Sequence, residues 1–436
     1  MSAPFKIDYE WLYSEDGDEA EQATLAQLSI RAGEHCATEV EDTLATSVRP
    51  YARLSALRLA EWFATNWWRL LWEPEANSYS WRASHKIGNA GGGYAWPDLS
   101  FSSDWQSVTL SANPTQRRNV EPIRYLNRFE TPISIEDFEI GVSNFIEGTI
   151  ARLFSVSRGE TDLNLLWSEV LEERRDPDAS HWRGLEACMG YDPDEAPDGL
   201  IDSLLKQMHV YGSEGIRETA VEAKAMTVSY VSDLRNATIG SEGVSVHVPK
   251  RDEILRRVQI ETEPSDIPWK RAEQAAQVAR EVWNLSVPVE TRQLSDLFHI
   301  SESQFSGPAN SHNPLTAGFR DLEHHDGFRL SWSSARETSR RFALARLAAD
   351  HIVTSDNESL LPATRSRTSR QKFQRAFAQD LLCPFSALVG ELGDETPDAD
   401  RVDAIGERFH VSPLLVQTTL VNKGILNRNT LAYWDP

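Results

Sequence analysis

The chain has 436 residues, 40% of them hydrophobic, and carries 66 acidic against 44 basic side chains, a formal charge of −22. That length predicts two or three cores rather than one, and that charge argues against an affinity drawn mainly from lysine and arginine neutralising phosphates. No apolar run approaches the roughly 20 residues of a membrane span, no basic leader precedes an apolar stretch, and three dispersed cysteines (Cys36, Cys188, Cys383) form no ligand-like pair, so a reducing cytoplasm is the expected compartment.

Residues 1–155 read as a tryptophan-rich α+β domain. PYARLSALRLAEWFATNWWRLLWE, residues 50–73, predicts one helix, because Ala56, Ala60, Phe63, Ala64, Trp67 and Leu71 recur at three- and four-residue steps. Pro74 ends it. Seven of the 14 tryptophans lie between Trp62 and Trp105. Trp67 is expected in the core. Trp68, about 100° further round the helix, and Trp96 are candidates for a partner surface. GNAGGGY, residues 88–94, lacks the lysine and following helix of a phosphate-binding loop and reads as a turn. DLSF and SVTL predict strands joined by a turn at Ser103 and Asp104, PIRYLN predicts another, and residues 133–154 predict a helix opening near Ser134 or Glu136.

Residues 156–260 read as a helical connector, with Leu163, Leu166, Trp167, Val170 and Leu171 forming one stripe. A helix ends at Gly190, and another begins near Pro197. GVSVHVP, residues 243–249, alternates and predicts either a strand or a linker.

Residues 261–436 predict a mostly helical domain with a small sheet. PWKRAEQAAQVAREVWNL is a helix by its period, VPVETRQLSDLFHIS a shorter one, and GFRLSW a strand. RRFALARLAADHIV and residues 368–382 are two further helices, joined by the polar, basic LLPATRSRTSRQKF. Two terminal helices flank a turn at His410–Ser412. The whole is expected to be α+β and predominantly helical.

Four ordered segments of this last part resemble the ImmA/IrrE family of zinc metallopeptidases. They are REVWNLSVPVETRQLSDLF, ETSRRFALA, FAQDLLCP (Phe377–Pro384) and ERFHVSPLLVQTTLVNKGIL. The family's active-site helix carries H-E-x-x-H, two zinc-binding histidines one turn apart with a glutamate base. The resemblance places those histidines on Arg346 and Asp350 and the base on Leu347. The third ligand, a glutamate, falls at Gln371 or Phe373. Zinc needs several converging donors and a base for its water, and arginine is a permanent cation. The resemblance therefore implies a domain without metal, cofactor or catalytic residues. Arg346 and Asp350 stand four apart on one helix face, which predicts that they pair with each other, since a lone buried charge is costly.

Other candidates compete with plainer readings. His351 with His324 and His325 of EHHD is a relocated ligand set, but adjacent side chains diverge and a polar turn accounts for EHHD. Arg365, Arg367, Arg370, Lys372 and Arg375 form a candidate patch for nucleic acid or an acidic partner, with a solvated loop and helix start as the plainer reading. The terminal helix pair has helix-turn-helix proportions, yet PLLVQTTLVNKGIL is too apolar to read base edges. No G-x-S-x-G nucleophile setting occurs.

The functional expectation is a catalytically inactive ImmA/IrrE-like protein. The resemblance implies a regulatory, sensing or partner-binding role in a bacterial stress, mobile-element or phage-defence system. A protein partner, in particular a basic one, suits the acidic surface; nucleic acid is not favoured and no membrane is involved. The alternatives are a zinc metallopeptidase with relocated ligands that cleaves a regulator, and an acidic inhibitor of a basic nucleic-acid-binding protein.

Overall fold

A computed structural model of the chain describes residues 4–13, 19–116, 121–156, 161–222, 227–240, 243–261, 267–308, 315–320, 326–393 and 397–427. It is α+β and predominantly helical, with 18 α-helices among the described residues and small antiparallel sheets. Two compact units emerge. The first comprises Met1–Ile201 with Ser366–Thr368, the second Asp202–Arg365 and Ser369–Pro436. Residues 156–260, expected as a separate connector, are thus divided. The helices Asp162–Arg175 and Pro177–Cys188 belong to the first unit, and residues 202–260 to the second.

In the first unit Phe5–Trp11 pairs antiparallel with Leu25–Ala32, from Phe5 opposite Ala32 to Trp11 opposite Ala26. Leu25–Ala32 alternates strictly: Ala26, Leu28, Ile30 and Ala32 are buried, while Ser29 and Arg31 face the other side. A second sheet holds Asp98–Ser103, Ser107–Asn113 and Phe129–Ser134, with the expected turn at Ser103 and Asp104. PIRYLN supplies the strand Ile123–Tyr125. The helices Ala56–Thr65 and Ile135–Val156 bring Phe63 and Phe138 onto Phe101 and Phe145 onto Phe63, and Phe63 meets Phe101 edge-on at 5.5 Å. Ser134 opens the second of these helices by accepting from Asp137 N at 3.0 Å.

The single helix expected over residues 50–73 is three elements. Ala52–Ser55 is a strand against Leu25–Leu28. Ser55 Oγ then accepts from Arg58 N at 3.2 Å and starts the helix Ala56–Thr65. Asn66 interrupts it by turning its Nδ2 back onto Trp62 O at 2.8 Å, the local competition that short amides offer a helix. Trp67–Trp72 follows as a separate helix, ended by Glu73 and Pro74.

The second unit has one four-stranded antiparallel sheet, ordered Val244–His247, Gly327–Ser331, Ala317–Arg320, Leu360–Pro362. GVSVHVP is therefore an edge strand. The basic connection LLPATRSRTSRQKF begins with the opposite edge strand, and Leu360, Leu361 and Thr364 are buried. Pro268–Trp283, Glu337–Val353 and Ser369–Leu382 pack together behind the sheet. Thr291–Phe298 opens with a capping box between Glu290 and Gln293. The terminal helices are Ala399–Phe409 and Pro413–Asn422, capped by Asp398 and Ser412.

Candidate functional site

Glu337–Val353 is buried on nearly every side in its second half. Leu344, Ala345, Leu347, Ala348, Ala349 and Ile352 supply a small, apolar surface. That surface lets Ser369–Leu382 lie close, and the polar residues of both helices must then satisfy one another. Arg341 donates to Thr291 Oγ1 (2.6 Å), His410 O (3.2 Å) and Val289 O. Arg340 spans Ser334 O, Gln304 O, Gly307 O and Pro308 O at 2.6–3.0 Å.

Arg346, Asp350 and Gln371 come together between the two helices and the strand Leu360–Pro362, but the expected Arg346–Asp350 pair is not what forms. Asp350, 1% exposed, accepts from Arg370 at both oxygens, Nε to Oδ1 at 2.8 Å and Nη2 to Oδ2 at 2.7 Å. Arg346 turns instead to Gln371, one of the two residues expected at the third-ligand position. Its Nη2 donates to Gln371 Oε1 and to Thr364 O at 2.6 Å. A planar fork from the neighbouring helix matches a carboxylate better than a side chain rising from the same helix, which explains the exchange. Leu347, expected in the place of the base, is fully buried among apolar neighbours.

Gln371 acts as an adaptor. Its Oε1 also accepts from Thr364 N at 3.0 Å, and its Nε2 donates to Pro362 O at 3.0 Å. Gln374 adds a second donor to Pro362 O at 3.1 Å, and Arg370 Nη2 reaches Leu360 O at 3.3 Å. The free edge of Leu360–Pro362 is thus closed by side chains and by a proline that has no N–H. Phe373, the other reading of the third-ligand position, stacks on Phe377 and takes no part.

Burial pulls the Arg346 pKa down to about 9, with Arg375 nearby adding to the fall and Glu218 and Asp350 opposing it. Burial opposes the charge of Arg370 too, but there the Asp350 carboxylate outweighs it and the pKa rises. Acidic side chains that the sequence reading passed over complete the surroundings. Glu358 accepts from Glu214 N at 3.1 Å and Gly215 N at 2.9 Å, at the start of the helix Ser213–Glu222. Glu218 Oε2 meets Thr364 Oγ1 at 3.3 Å, and Glu222 Oε2 meets Arg365 N at 2.8 Å. The one signal for this contact was Gly212-Ser-Glu-Gly215: a Cβ at Gly215 would stand 2.4 Å from Leu360 O.

His351 is held by Arg320. It is 1% exposed, and its Nδ1 accepts from Arg320 Nε at 3.2 Å, which places the ring proton on Nε2. Arg320 and Arg251 converge on the end of this helix. Each donates to His351 O and Thr354 O at 2.8–3.0 Å, and both pair with Asp356. Burial and the adjacent Arg251 pull the Arg320 pKa down to about 10. His324 and His325 lie outside the described residues. Among the described residues no group of three or more His, Cys, Asp or Glu is placed to hold a metal ion.

The five cations expected as one patch are dispersed. Arg365 and Arg367 are exposed, Arg367 pairing with Glu75 at 2.6 Å. Arg370 is spent on Asp350, while Lys372 and Arg375 are half-buried. Trp68 is a correction as well: it is 6% exposed and its Nε1 donates to Glu173 Oε2 at 2.7 Å, so it is a core residue and not part of a partner surface. Trp96 is half-buried, packed on Tyr94, with Nε1 on Gly91 O at 2.8 Å. It folds back over the glycine turn. The three cysteines are buried and none is in a disulfide, and no helix among the described residues is long and apolar enough to cross a membrane.

No family model, no curated protein and no solved structure matches this chain.

Proposed function

We propose that residues 261–436 form an ImmA/IrrE-like domain that has exchanged its zinc site for a hydrogen-bonded polar core, and that the protein works as a regulatory, sensing or partner-binding module without peptidase activity. A bacterial stress, mobile-element or phage-defence system is the setting this resemblance suggests. The observation that carries the reading is the convergence of Arg346, Asp350 and Gln371. Arg346 and Asp350 come from one helix and Gln371 from the next; Arg346 bonds Gln371, and Asp350 bonds Arg370, the residue beside Gln371. The groups now there are a guanidinium, an amide and a carboxylate already spent on Arg370. Nothing in that set offers zinc three free donors or its water a base.

Reconstitution tests the reading. The variant Arg346→His, Leu347→Glu, Asp350→His, Gln371→Glu restores the family's donor set at these four positions. It is expected to bind about one zinc per chain, as a site with three protein ligands does, while the parent protein binds none. Zinc uptake equal in the two proteins, with the variant folded by circular dichroism, counts against the proposed correspondence.

A further inference from the structure

We infer that the first unit carries a binding pocket for a small zwitterion bearing an ammonium and a carboxylate group, with the dimensions of a free amino acid. The pocket has a volume of about 350 Å³ and is lined from the strand Leu25–Ala32, the following turn, and residues 127–129. It is independent of the reading proposed for the second unit.

The register builds it. Arg31 stands directly opposite Cys36 in the antiparallel ladder, so both side chains leave the sheet on the face opposite the buried Ile30 and Ala32. The floor is knit together. Asn127 Nδ2 donates to Cys36 O at 2.9 Å and to Glu39 Oε2 at 2.6 Å, and Cys36 Sγ bonds Pro50 O at 3.2 Å. Phe129 forms an apolar wall, held by a stacked His35 at 5.0 Å and 16°. A floor fixed in this way is pre-organised for a ligand.

The rim is not spent. Glu34 and Arg128 are exposed and make no side-chain hydrogen bond or ion pair among the described residues, and Arg31 uses only Nε, on Ser29 Oγ at 3.0 Å. The lining therefore holds two guanidinium and two carboxylate groups. A dianion would confront Glu34 and Glu39, and a dication would confront Arg31 and Arg128. A ligand carrying one charge of each sign leaves neither kind unanswered, the charge complementarity that selects one ligand over another. Arginine suits the carboxylate because its fork matches it bidentately. The volume lies within the usual range for small-ligand pockets, and Phe129 gives an aromatic or aliphatic side chain a place to rest.

The test is calorimetric titration of the full chain with the standard amino acids one at a time. Each binder is then compared with its carboxylate-only and amine-only analogues. At least one amino acid is expected to bind saturably, and both analogues at least about tenfold more weakly, the loss of one charge-assisted contact. Arg128→Ala and Glu34→Gln remove exposed, uncommitted groups, so each should weaken binding about tenfold with the melting temperature unchanged. Absence of saturable binding by every amino acid overturns the inference. So does equal binding of an analogue, or binding indifferent to both substitutions.

Discussion

Arg370 holds Asp350 by both carboxylate oxygens, at 2.8 and 2.7 Å, across the packed helices Glu337–Val353 and Ser369–Leu382. Asp350 is 1% exposed. The relationship ties the two helices that carry the candidate site, and it answers a question the sequence raised and misjudged, namely what Asp350 is for.

The pair makes a direct prediction. Asp350→Ala strands the Arg370 charge in the interior and should destabilise the second unit by about 3–5 kcal/mol. A double-mutant cycle in urea separates the two arginines. Asp350 and Arg370 should couple by more than about 1 kcal/mol, while Asp350 and Arg346, which share no hydrogen bond, should couple more weakly. Strong coupling to Arg346 instead would restore the same-helix pair and contradict the geometry.

Gly215 yields a second. A methyl group there meets Leu360 O at 2.4 Å, a backbone atom that cannot swing aside, and Leu360 Cβ at 3.0 Å. Gly215→Ala should push the helix Ser213–Glu222 off the edge strand and cost about 1–3 kcal/mol. Hydrogen exchange should rise in residues 213–222 and 358–362 together. Faster exchange in neither segment would show that the seam is looser than described.

His85 governs a pH dependence in the first unit. The ring is fully buried, with Nδ1 on Trp81 O at 2.8 Å, Nε2 facing Arg69 O at 3.2 Å, and Trp81 stacked on it at 4.4 Å. The two carbonyls and nearby Glu73 favour an imidazolium; burial opposes it, Arg69 adds to the opposition, and together they win, pulling the pKa from 6.5 to about 4. The unfolded chain thus takes up the proton first. Stability is full above pH 6.5 and falls as the pH drops through the window from 6.5 to 4, by about 3 kcal/mol for such a shift. Chemical denaturation at pH 7 and pH 4.5 should show the loss, and His85→Gln should shrink it. A pH slope unchanged by that substitution assigns the effect elsewhere.

Trp68 offers a fourth test, aimed at its reassignment to the core. Trp68→Phe keeps most of the ring and leaves Glu173 without its indole donor. It should lower stability by about 1–3 kcal/mol. A variant as stable as the parent would put Trp68 back on the surface.

Several elements of the second unit were legible because they carry a short-range mark, while the strands Ala317–Arg320 and Leu360–Pro362 and the helix Phe385–Leu392 were not. Pro268 starts one helix, Asp398 and Ser412 cap two more, and GFRLSW alternates. The long helix over residues 50–73 was misread because its apolar period runs through Asn66, and only the Leu25–Leu28 strand, far away in sequence, draws Ala52–Ser55 into a sheet. The site was half legible. Positions 346, 350 and 371 could be named from the resemblance, but their partners could not. Arg370 looked like one of five similar cations, and nothing in its spacing said that it turns inward while Arg365 and Arg367 face out. Glu358 and Glu218 carry no local pattern, because what they satisfy is a helix start and a threonine more than 140 residues away.

The central claim is that the place of a zinc centre is filled by the protein's own side chains. Elemental mass spectrometry of the untagged full chain, purified without chelator, tests it most directly. The account predicts no stoichiometric zinc. About one tightly held zinc per chain, which requires several converging donors, would contradict it and turn attention to His324, His325 and His351.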